Sequence, residues 1–506
     1  METLPRPGHV EPRSLGELAE LAAGRLVGAD VAVTGITSTS GRARPGDLFA
    51  ALPGRTCHGA QFAPEALASG AIAVLTDAAG AEMLPAGPVV VVDDVRARLG
   101  EVSAEVYGRP SRALSVLGVT GTSGKTTTTF LIRAGLAAVG RSSGLIGTVA
   151  TMIGDDAVKT GFTTPEAPDV QGFMRQMLDA GCGACVMEVS SHALAMHRVD
   201  GIRFAAGVFT NLTRDHLDFH RDMESYFAAK RRLFEILPDA APTVVNVDDP
   251  RGASLVDLAR HPVTYAINRE ADVTPGPLTV GLDGLTFDAR MPQGVAHVKS
   301  SLVGKPNVYN ILAAAGTTAA LGVPITAIEQ GLRTLPGVPG RFEVVSSAAD
   351  DITVVVDYAH TDDALRNLLE TARPLASRRL ITVFGAGGDR DKTKRPLMGM
   401  VAARLSELVI ITSDNPRSED PLRIIDEVKL GAEPESRQGK AEVLTVVDRR
   451  EAIRQAVGLA SADDIVLIAG KGHEKYQEIG GRVTPFDDVA VAHEALEARR
   501  EKSRVG

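Results

Sequence analysis

The sequence predicts an α/β protein built on largely parallel sheets and divided into about three domains. Short apolar runs alternate with segments of helical period through most of the chain, as at 115–119, 244–247, 352–356, 380–384 and 465–469. Strands separated by helices are joined by crossovers, and crossovers favour parallel pairing. The chain has 506 residues, more than one hydrophobic core serves. Two breaks rich in Pro and Gly interrupt both periods. One is Arg109-Pro110-Ser111, ahead of the run at 114–119, and the other is Pro336-Gly337-Val338-Pro339-Gly340-Arg341. The expected domains are therefore 1–112, 113–342 and 343–506, with no fixed-period repeat and no low-complexity tract.

Composition narrows the function. Hydrophobic residues at 44% and charged residues at 23% describe a folded globular chain. A net charge of -9 excludes a general nucleic-acid binder, which needs a basic face to displace counterions, although a local basic pocket stays open. The opening segment carries prolines and acidic residues where a secretory signal needs a continuous apolar stretch, and no later run is long enough to span a bilayer. The expected address is the cytoplasm. Cys57, Cys182 and Cys185 cannot all pair. Cys182 and Cys185 form a CxxC, but no second pair exists and Cys185 opens the apolar run Cys185-Val186-Met187, so packing is favoured over zinc or redox use.

The first chemical motif follows the run at 116–119. Thr120-Gly121-Thr122-Ser123-Gly124-Lys125-Thr126-Thr127 leads into a helical pattern at 128–139. Strand, glycine loop and helix in that order form a phosphate cradle. Gly121 and Gly124 let backbone N–H groups approach phosphate oxygens, and the helix start adds its positive end. Lys125 reaches the terminal phosphates, and Thr126 offers a hydroxyl to Mg²⁺. The strict GxxxxGK[ST] pattern fails because its first position is Val119; only the GxxGKT core matches. ATP is the expected nucleotide, bound by Gly121, Thr122, Ser123, Gly124, Lys125, Thr126 and Thr127.

A metal carried with ATP needs further hard oxygen ligands, which such sheets present at strand ends. Glu188, closing Cys185-Val186-Met187, stands at such an end and precedes the small polar stretch Val189-Ser190-Ser191-His192. Capping a helix is the alternative. His216, Asp218 and His220 alternate after another short apolar run. With neither Cys nor an HExxH helix, zinc is disfavoured, and His216 is expected at magnesium or phosphate. His220 and Asp218 stay open to a purely structural role. The segment 226–234 reads as an amphipathic helix, and on their own residues Lys230, Arg231 and Arg232 read as a solvated cationic face.

Several stretches in series then resemble the Mur ligase family. They are residues 120–127, Met187-Glu188-Val189-Ser190-Ser191-His192, Asp215-His216-Leu217-Asp218, Ala229-Lys230, Asn246-Val247-Asp248-Asp249, Gly304-Lys305-Pro306-Asn307, Pro339-Gly340-Arg341-Phe342-Glu343, Asp357-Tyr358-Ala359-His360 and Gly388-Asp389-Arg390-Asp391-Lys392. The resemblance implies an N-terminal α/β domain for a UDP-linked substrate, a central P-loop ATPase-type domain with a mostly parallel sheet, and a C-terminal Rossmann-like domain for an amino acid. It implies a cytoplasmic ligase of peptidoglycan precursors with no obligate protein partner. In that family the lysine matching Lys230 takes up CO₂ as a carbamate. Two Mg²⁺ ions are then implied, one at Thr126 and Glu188 and one at His216 and carbamylated Lys230. Lys125, His216 and Lys230 are the implied catalytic residues, and Asn310, Arg341, Asp357 and His360 complete the ATP site.

Within the family, Ser413-Asp414-Asn415-Pro416-Arg417 resembles the form that accepts meso-diaminopimelate. Taken alone, Asn-Pro is a turn signal. Between Gly388-Asp389-Arg390-Asp391 and Gly470-Lys471-Gly472-His473-Glu474 it implies a site formed by Arg390, Asp414, Asn415, Pro416, Arg417, Gly470 and Glu474. Arg417 offers a bidentate fork to the distal carboxylate that lysine lacks, and Glu474 faces the distal ammonium. The implied co-substrate is UDP-MurNAc-L-Ala-D-Glu, touched by Ser40, Thr163, Thr164, Ser190 and Arg198. Here the chain departs from the family, reading Thr39-Ser40-Gly41 where Asp-Ser-Arg is usual. Folylpolyglutamate synthetases and P-loop ATPases without an acceptor are the competing readings.

Overall fold

A computed structural model gives the fold and describes residues 4–54, 56–158, 160–439 and 441–505. The first expected domain starts at residue 1, and residues 1–3 lie outside the described ones. Three large sheets succeed one another along the chain. The first orders its strands Arg25–Val27, Val89–Val91, Ala73–Thr76, Asp47–Ala50 and Gly35–Thr37, all parallel except the first pair. The second runs Asp156–Val158, Thr151–Ile153, Ser143–Ile146, Ala184–Glu188, Ser115–Thr120, Phe204–Phe209, Thr243–Asn246 and Pro262–Tyr265. From Ser143–Ile146 onward its neighbours are parallel, and the two edge strands are antiparallel. The third runs Glu343–Val344, Thr353–Asp357, Ile465–Ala469, Leu380–Phe384, Leu408–Ile411 and Glu442–Thr445, parallel apart from its first strand.

The expected strands all occur, with 244–247 realised as Thr243–Asn246 and 352–356 as Thr353–Asp357. They read as continuous apolar runs because both faces of each sheet are covered. In the second sheet, Leu117 and Val119 pack with Leu131, Ile132 and Ile311 from helices Lys125–Ala137 and Lys305–Ala320. Val116 and Met187 face the other way, toward Phe173, Phe227 and Leu233 of helices Ala167–Asp179 and Met223–Glu235. Cys182 and Cys185 belong to this second layer, are buried and unbonded, and so pack as small hydrophobes.

Sequence reading did not anticipate the antiparallel sheet formed by Thr274–Pro275, Gly284–Met291, Thr279–Gly281 and Gly294–Ser300. Gly284–Met291 alternates buried and exposed residues along most of its length, its buried side joining helix Lys305–Ala320 in the core while the paired strand Gly294–Ser300 packs against helix Ile325–Thr334. The parallel strands of the second and third sheets end at Thr120, Glu188, Phe209, Asp357, Phe384 and Ala469, and loops leave from those ends. In open α/β sheets, ligands bind at such carboxyl ends.

Candidate active site

Strand Ser115–Thr120 ends in the glycine loop, and helix Lys125–Ala137 begins directly after it with Gly124 as its cap. Gly121 at φ 148° and Gly124 at φ 87° lie where L side chains rarely go. A Cβ at either position would collide, with Thr210 Oγ1 at 121 and with Asn310 Oδ1 at 124. The loop is braced from below. Ser123 N–H donates to Asn211 Oδ1 at 2.9 Å, and Asn211 Nδ2 and Thr210 Oγ1 donate to Ser123 O at 3.1 and 2.6 Å. Lys125 Nζ donates to the carbonyls of Gly121 and Thr122, both at 2.9 Å, inside the curve of the loop. Helical N–H groups in the first turn lack intrahelical acceptors, so the curve presents donors and a cation to an anion.

Glu188 is buried beside this loop. Its Oε1 accepts from Thr126 Oγ1 at 3.0 Å and Thr148 N–H at 2.8 Å, and its Oε2 accepts from Thr148 Oγ1 at 3.0 Å. Thr163 Oγ1 bonds Thr148 Oγ1 at 2.9 Å, while Thr164 Oγ1 donates to Glu188 O at 2.8 Å and accepts from Ser190 N–H at 3.1 Å. Arg198 donates to Thr164 O at 3.0 Å and pairs with Glu166 at 2.9 Å. Thr163, Thr164, Ser190 and Arg198 thus converge on one strand end. Ser40 stays apart from them and donates to Glu65 Oε2 at 2.6 Å. Its neighbour Arg42 crosses to the second sheet's layer and pairs with Asp169.

The solvated-face reading of helix Met223–Glu235 is corrected at Lys230. Arg231 is paired with Glu235 at the surface, whereas Lys230 is 1% exposed. Its Nζ donates to Gly121 O at 2.7 Å and lies 4.5 Å from the centre of the Tyr226 ring. Burial holds this amine well below the ordinary lysine range, and Lys125 pushes it the same way. His216 caps a short helix with left-handed backbone, φ 54°, and its ring meets His192 edge-on at 4.7 Å. Burial lowers its imidazole against the pull of Asp215. His220 turns away to Ser191 Oγ at 2.9 Å. Among the described residues no three His, Cys, Asp or Glu side chains converge as a metal cluster, so His216, Asp218 and His220 form no zinc site there.

Thr126 and Glu188 supply oxygen donors of the kind Mg²⁺ prefers. The free amine of Lys230 does not suit a cation, and only a carbamate would make that position a ligand.

The third sheet reaches this loop through Arg341. Its Nη2 donates to Thr126 Oγ1 at 3.1 Å and its guanidinium lies 4.7 Å from the Tyr358 ring centre. Asp357 fixes the turn by accepting from Phe342 N–H at 2.7 Å and Ala359 N–H at 2.8 Å. His360 Nδ1 bonds Tyr358 O at 2.9 Å. Asn310 Nδ2 donates to Asn307 Oδ1 at 3.0 Å, and Thr128 Oγ1 bonds Asn310 Oδ1 at 3.4 Å behind the glycine loop. Buried without partners are Thr120 Oγ1, Arg341 Nε and His473 Nδ1, three polar atoms of this region able to meet a ligand.

Across from the glycine loop, three loops leave the third sheet's carboxyl ends. Asn415, 1% exposed, joins them. Its Nδ2 donates to Glu474 Oε2 at 2.9 Å, and its Oδ1 accepts from Lys471 Nζ and Glu478 N–H, each at 3.0 Å. Arg417, at φ 54°, donates to Gly388 O at 2.6 Å, with its Nε 3.7 Å from Glu478. A Cβ at Gly470 would stand 2.6 Å from Asp414 Oδ2, so the second and third loops touch there. Pro416 is buried, and its carbonyl abuts Gly388. Arg390 is exposed and donates to Asp389 O at 3.1 Å; among the described residues it makes no hydrogen bond to Asp414, Asn415, Arg417, Gly470 or Glu474. Burial raises the Glu474 carboxyl, opposed by Lys471.

Sequence reading passed over several residues here. Lys471, fully buried and 3.3 Å from Glu474, stood inside a motif already noted. Arg395 and Arg449 also hold these loops: Arg395 donates to Gly387 O at 3.1 Å and to Glu419 at 2.8 Å, and Arg449 reaches Ser413 O and Ala469 O. Thr148 and Asn211 carried no sequence signal.

A glycine loop after a parallel strand, with a strand-end carboxylate beside it and Arg341 reaching it from the third sheet, fits the phosphate-loop α/β class of nucleotide-binding enzymes. Three family models match in chain order: Mur ligase family, catalytic domain, at 32–107; Mur ligase middle domain at 119–318; and Mur ligase, glutamate ligase domain, at 340–472. The chain is 47% identical over 473 residues to the UDP-N-acetylmuramoyl-L-alanyl-D-glutamate–2,6-diaminopimelate ligase of Gloeobacter violaceus, covering 94% of this chain and 96% of that one. It is 47% identical over 500 residues to the ligase of the same name from Streptomyces avermitilis, covering 97% and 98%. A solved structure of a ligase with that name superposes with a TM-score of 0.66 at 34% identity, over 96% of this chain and 99% of that one. The chain belongs to the Mur ligase family and is an ATP-dependent ligase that forms amide bonds. No helix among the described residues is long and apolar enough to cross a membrane.

Proposed function

We propose that the chain joins meso-diaminopimelate to UDP-N-acetylmuramoyl-L-alanyl-D-glutamate, driven by ATP, during cytoplasmic assembly of peptidoglycan precursors. The observation that carries this reading is the cluster of Asp414, Asn415, Arg417 and Glu474 on loops at the carboxyl ends of the third sheet, which brings a fork-shaped cation and a carboxylate onto neighbouring loops. Diaminopimelate has a distal carboxylate and ammonium to match, and lysine would leave Arg417 without its anion. The names of the relatives support the same acceptor.

A carboxylate resists attack by an amine. A side-chain oxygen of D-Glu therefore attacks the terminal phosphorus of ATP, ADP leaves, and an acyl phosphate forms. The neutral amine then attacks the acyl carbon, phosphate departs with the electron pair, and the amine loses one proton as the amide closes. Lys125 and Arg341 neutralise charge on the moving phosphoryl group, and the first turn of helix Lys125–Ala137 orients it. Thr126 and Glu188 would hold one Mg²⁺, and His216 with carbamylated Lys230 a second; bound there, the ions supply charge neutralisation to the phosphoryl oxygens. Carbamylation needs a neutral amine, and the burial of Lys230 beside Lys125 supports that form. Asn310, Asp357 and His360 complete the nucleotide site. Thr163, Thr164, Ser190 and Arg198 receive the muramoyl peptide, and Ser40 with domain 1–112 receives the uridine end. Domains 113–342 and 343–506 then carry ATP and the amino acid.

Phosphate release with the UDP-dipeptide, measured with no amine, with L-lysine and with meso-diaminopimelate, tests the proposal. Release that depends on diaminopimelate and is far weaker with lysine is expected. Turnover indifferent to the amine points to a plain ATPase, and turnover only with a folate substrate and glutamate points to a folylpolyglutamate synthetase.

A further inference from the structure

Arg449 opens helix Arg449–Leu459 and is 1% exposed, with its guanidinium wholly enclosed. Its counter-ion comes from Asp488, the first residue of helix Asp488–Val505 and itself fully buried. The pair is bidentate: Nε donates to Asp488 Oδ1 at 2.8 Å and Nη2 to Oδ2 at 2.7 Å. Two further donations leave the pair in the direction of the sheet. Nη2 also reaches Ala469 O at 2.9 Å, and Nη1 reaches Ser413 O at 3.4 Å.

Those two carbonyls stand at the bases of the two acceptor loops, which are tied again further out where Gln477 Nε2 donates to Asp414 O at 2.9 Å and Arg417 N–H to Glu478 O at 3.0 Å. Ala469 precedes Gly470, and Ser413 precedes Asp414. Beyond them, a Cβ at Gly470, where φ is 116°, would stand 2.6 Å from Asp414 Oδ2. Past that point, Asn415 and Lys471 tie the loops to Glu474. We infer that Arg449, neutralised by Asp488, is a positioning residue for the acceptor amino acid, because it sets the spacing between the loop carrying Asp414 to Arg417 and the loop carrying Gly470 to Glu474. This inference rests on the proposed acceptor site.

A planar guanidinium suits the task because it serves one carboxylate and two carbonyls at fixed angles. A lysine keeps the charge toward Asp488 but lacks the fork that spans both carbonyls. Removing either partner leaves an uncompensated buried charge, so stability falls as well, and activity alone is not diagnostic.

Full-length wild type, Arg449→Lys, Arg449→Met and Asp488→Asn are therefore compared for the KM of meso-diaminopimelate, the KM of ATP and kcat, alongside the thermal midpoint of each. Displacing a bound group by about 1 Å costs roughly 10²-fold, so the diaminopimelate KM of Arg449→Lys is expected to rise by about 10-fold or more. Its ATP KM should stay within about twofold of wild type, since uniform loss would signal general disorder. Asp488→Asn, which leaves the guanidinium on both carbonyls, should show the smaller rise of the two. If Arg449→Met does not fold, Arg449→Lys and Asp488→Asn carry the comparison. Equal rises in both KM values, or a lowered midpoint with an unmoved diaminopimelate KM, overturn the positioning role. A wild-type chain that ignores diaminopimelate sinks the acceptor reading instead, and the two failures are told apart by that control.

Discussion

Lys125 and Lys230 donate to the same acceptor, the carbonyl oxygen of Gly121, at 2.9 and 2.7 Å. Two ammonium groups on one neutral oxygen repel by several kcal/mol in a partly desolvated site, roughly 4 kcal/mol at 4 Å for an effective dielectric of about 20. Lys230 is the more enclosed, and burial together with Lys125 holds its amine well below the ordinary lysine range, against the pull of Asp215. A carbamate formed there, by addition of the neutral amine to CO₂ with loss of a proton, would be an anion and would turn a repulsive pair into an attractive one.

Lys230→Ala should accordingly lose about 10²-fold or more in kcat, the scale seen when a charge stabiliser of a transition state is removed. A small added carboxylate should restore part of it. Full activity in the untreated variant, or no effect on wild type of removing and re-adding bicarbonate, would count against the carbamate.

Arg341→Ala should reduce kcat by about 10² to 10³, as removal of a preorganised donor to a developing negative charge does. The expected signature is lost kcat with little change in the diaminopimelate KM, because Arg341 touches Thr126 on the nucleotide side of the cleft. Steady-state kinetics with each substrate varied in turn decide it, and a change confined to diaminopimelate would assign Arg341 to the other side.

Arg417→Ala removes a charged donor that is already oriented by Gly388 and Glu478. Hydrogen bonds to charged groups contribute about 1.5–3 kcal/mol, so the diaminopimelate KM should rise by about 10- to 150-fold. The preference over lysine should shrink in parallel. Equal increases for ATP and diaminopimelate would make Arg417 a structural residue.

The acid limb of stability should depend on Glu419. Hydrogen bonding from Arg395, helped by the Asp389 N–H and Lys392, holds its carboxyl at about 2. A folded value below the unfolded one means that the unfolded chain binds more protons between them, so stability rises with pH through that window. The contribution is complete above about pH 4.5 and disappears as pH falls toward about 2. Solvent screening at this partly exposed carboxylate holds the full effect to on the order of 1 kcal/mol. Glu419→Gln should therefore lower the thermal midpoint at neutral pH, and the gap to wild type should close below about pH 4.5. A gap independent of pH would refute the assignment.

The sequence disclosed what is local and concealed what depends on distant chain. The glycine loop was readable because its spacing, strand and helix are contiguous, and Glu188 because it ends an apolar run. Lys230 was not readable from its own helix, where its neighbour Arg231 does face solvent; only the family resemblance brought it inward, and the contact with Gly121 gives the geometric reason. Arg395 and Arg449 lie in the first turns of their helices, and nothing local shows that Glu419, Glu427 and Asp488 pair with them across the fold. Thr148 reaches Glu188 from a turn without a pattern. The small antiparallel sheet went unseen because its strands are short or half-exposed and interrupted by glycines. Ser40 was placed by analogy, and its hydroxyl is engaged with Glu65.

The loops that carry Asp414 to Arg417 and Gly470 to Glu474 are fastened to the third sheet by the buried Arg449–Asp488 pair as well as by packing. Strands Leu380–Phe384, Leu408–Ile411 and Ile465–Ala469 would be unaltered by exchanging the segments they carry. On the proposed acceptor site, the fold separates inheritance of its energy source from choice of its building block: a descendant would adopt another amino acid by rewriting three short loops while the machinery that activates the carboxylate is passed on intact.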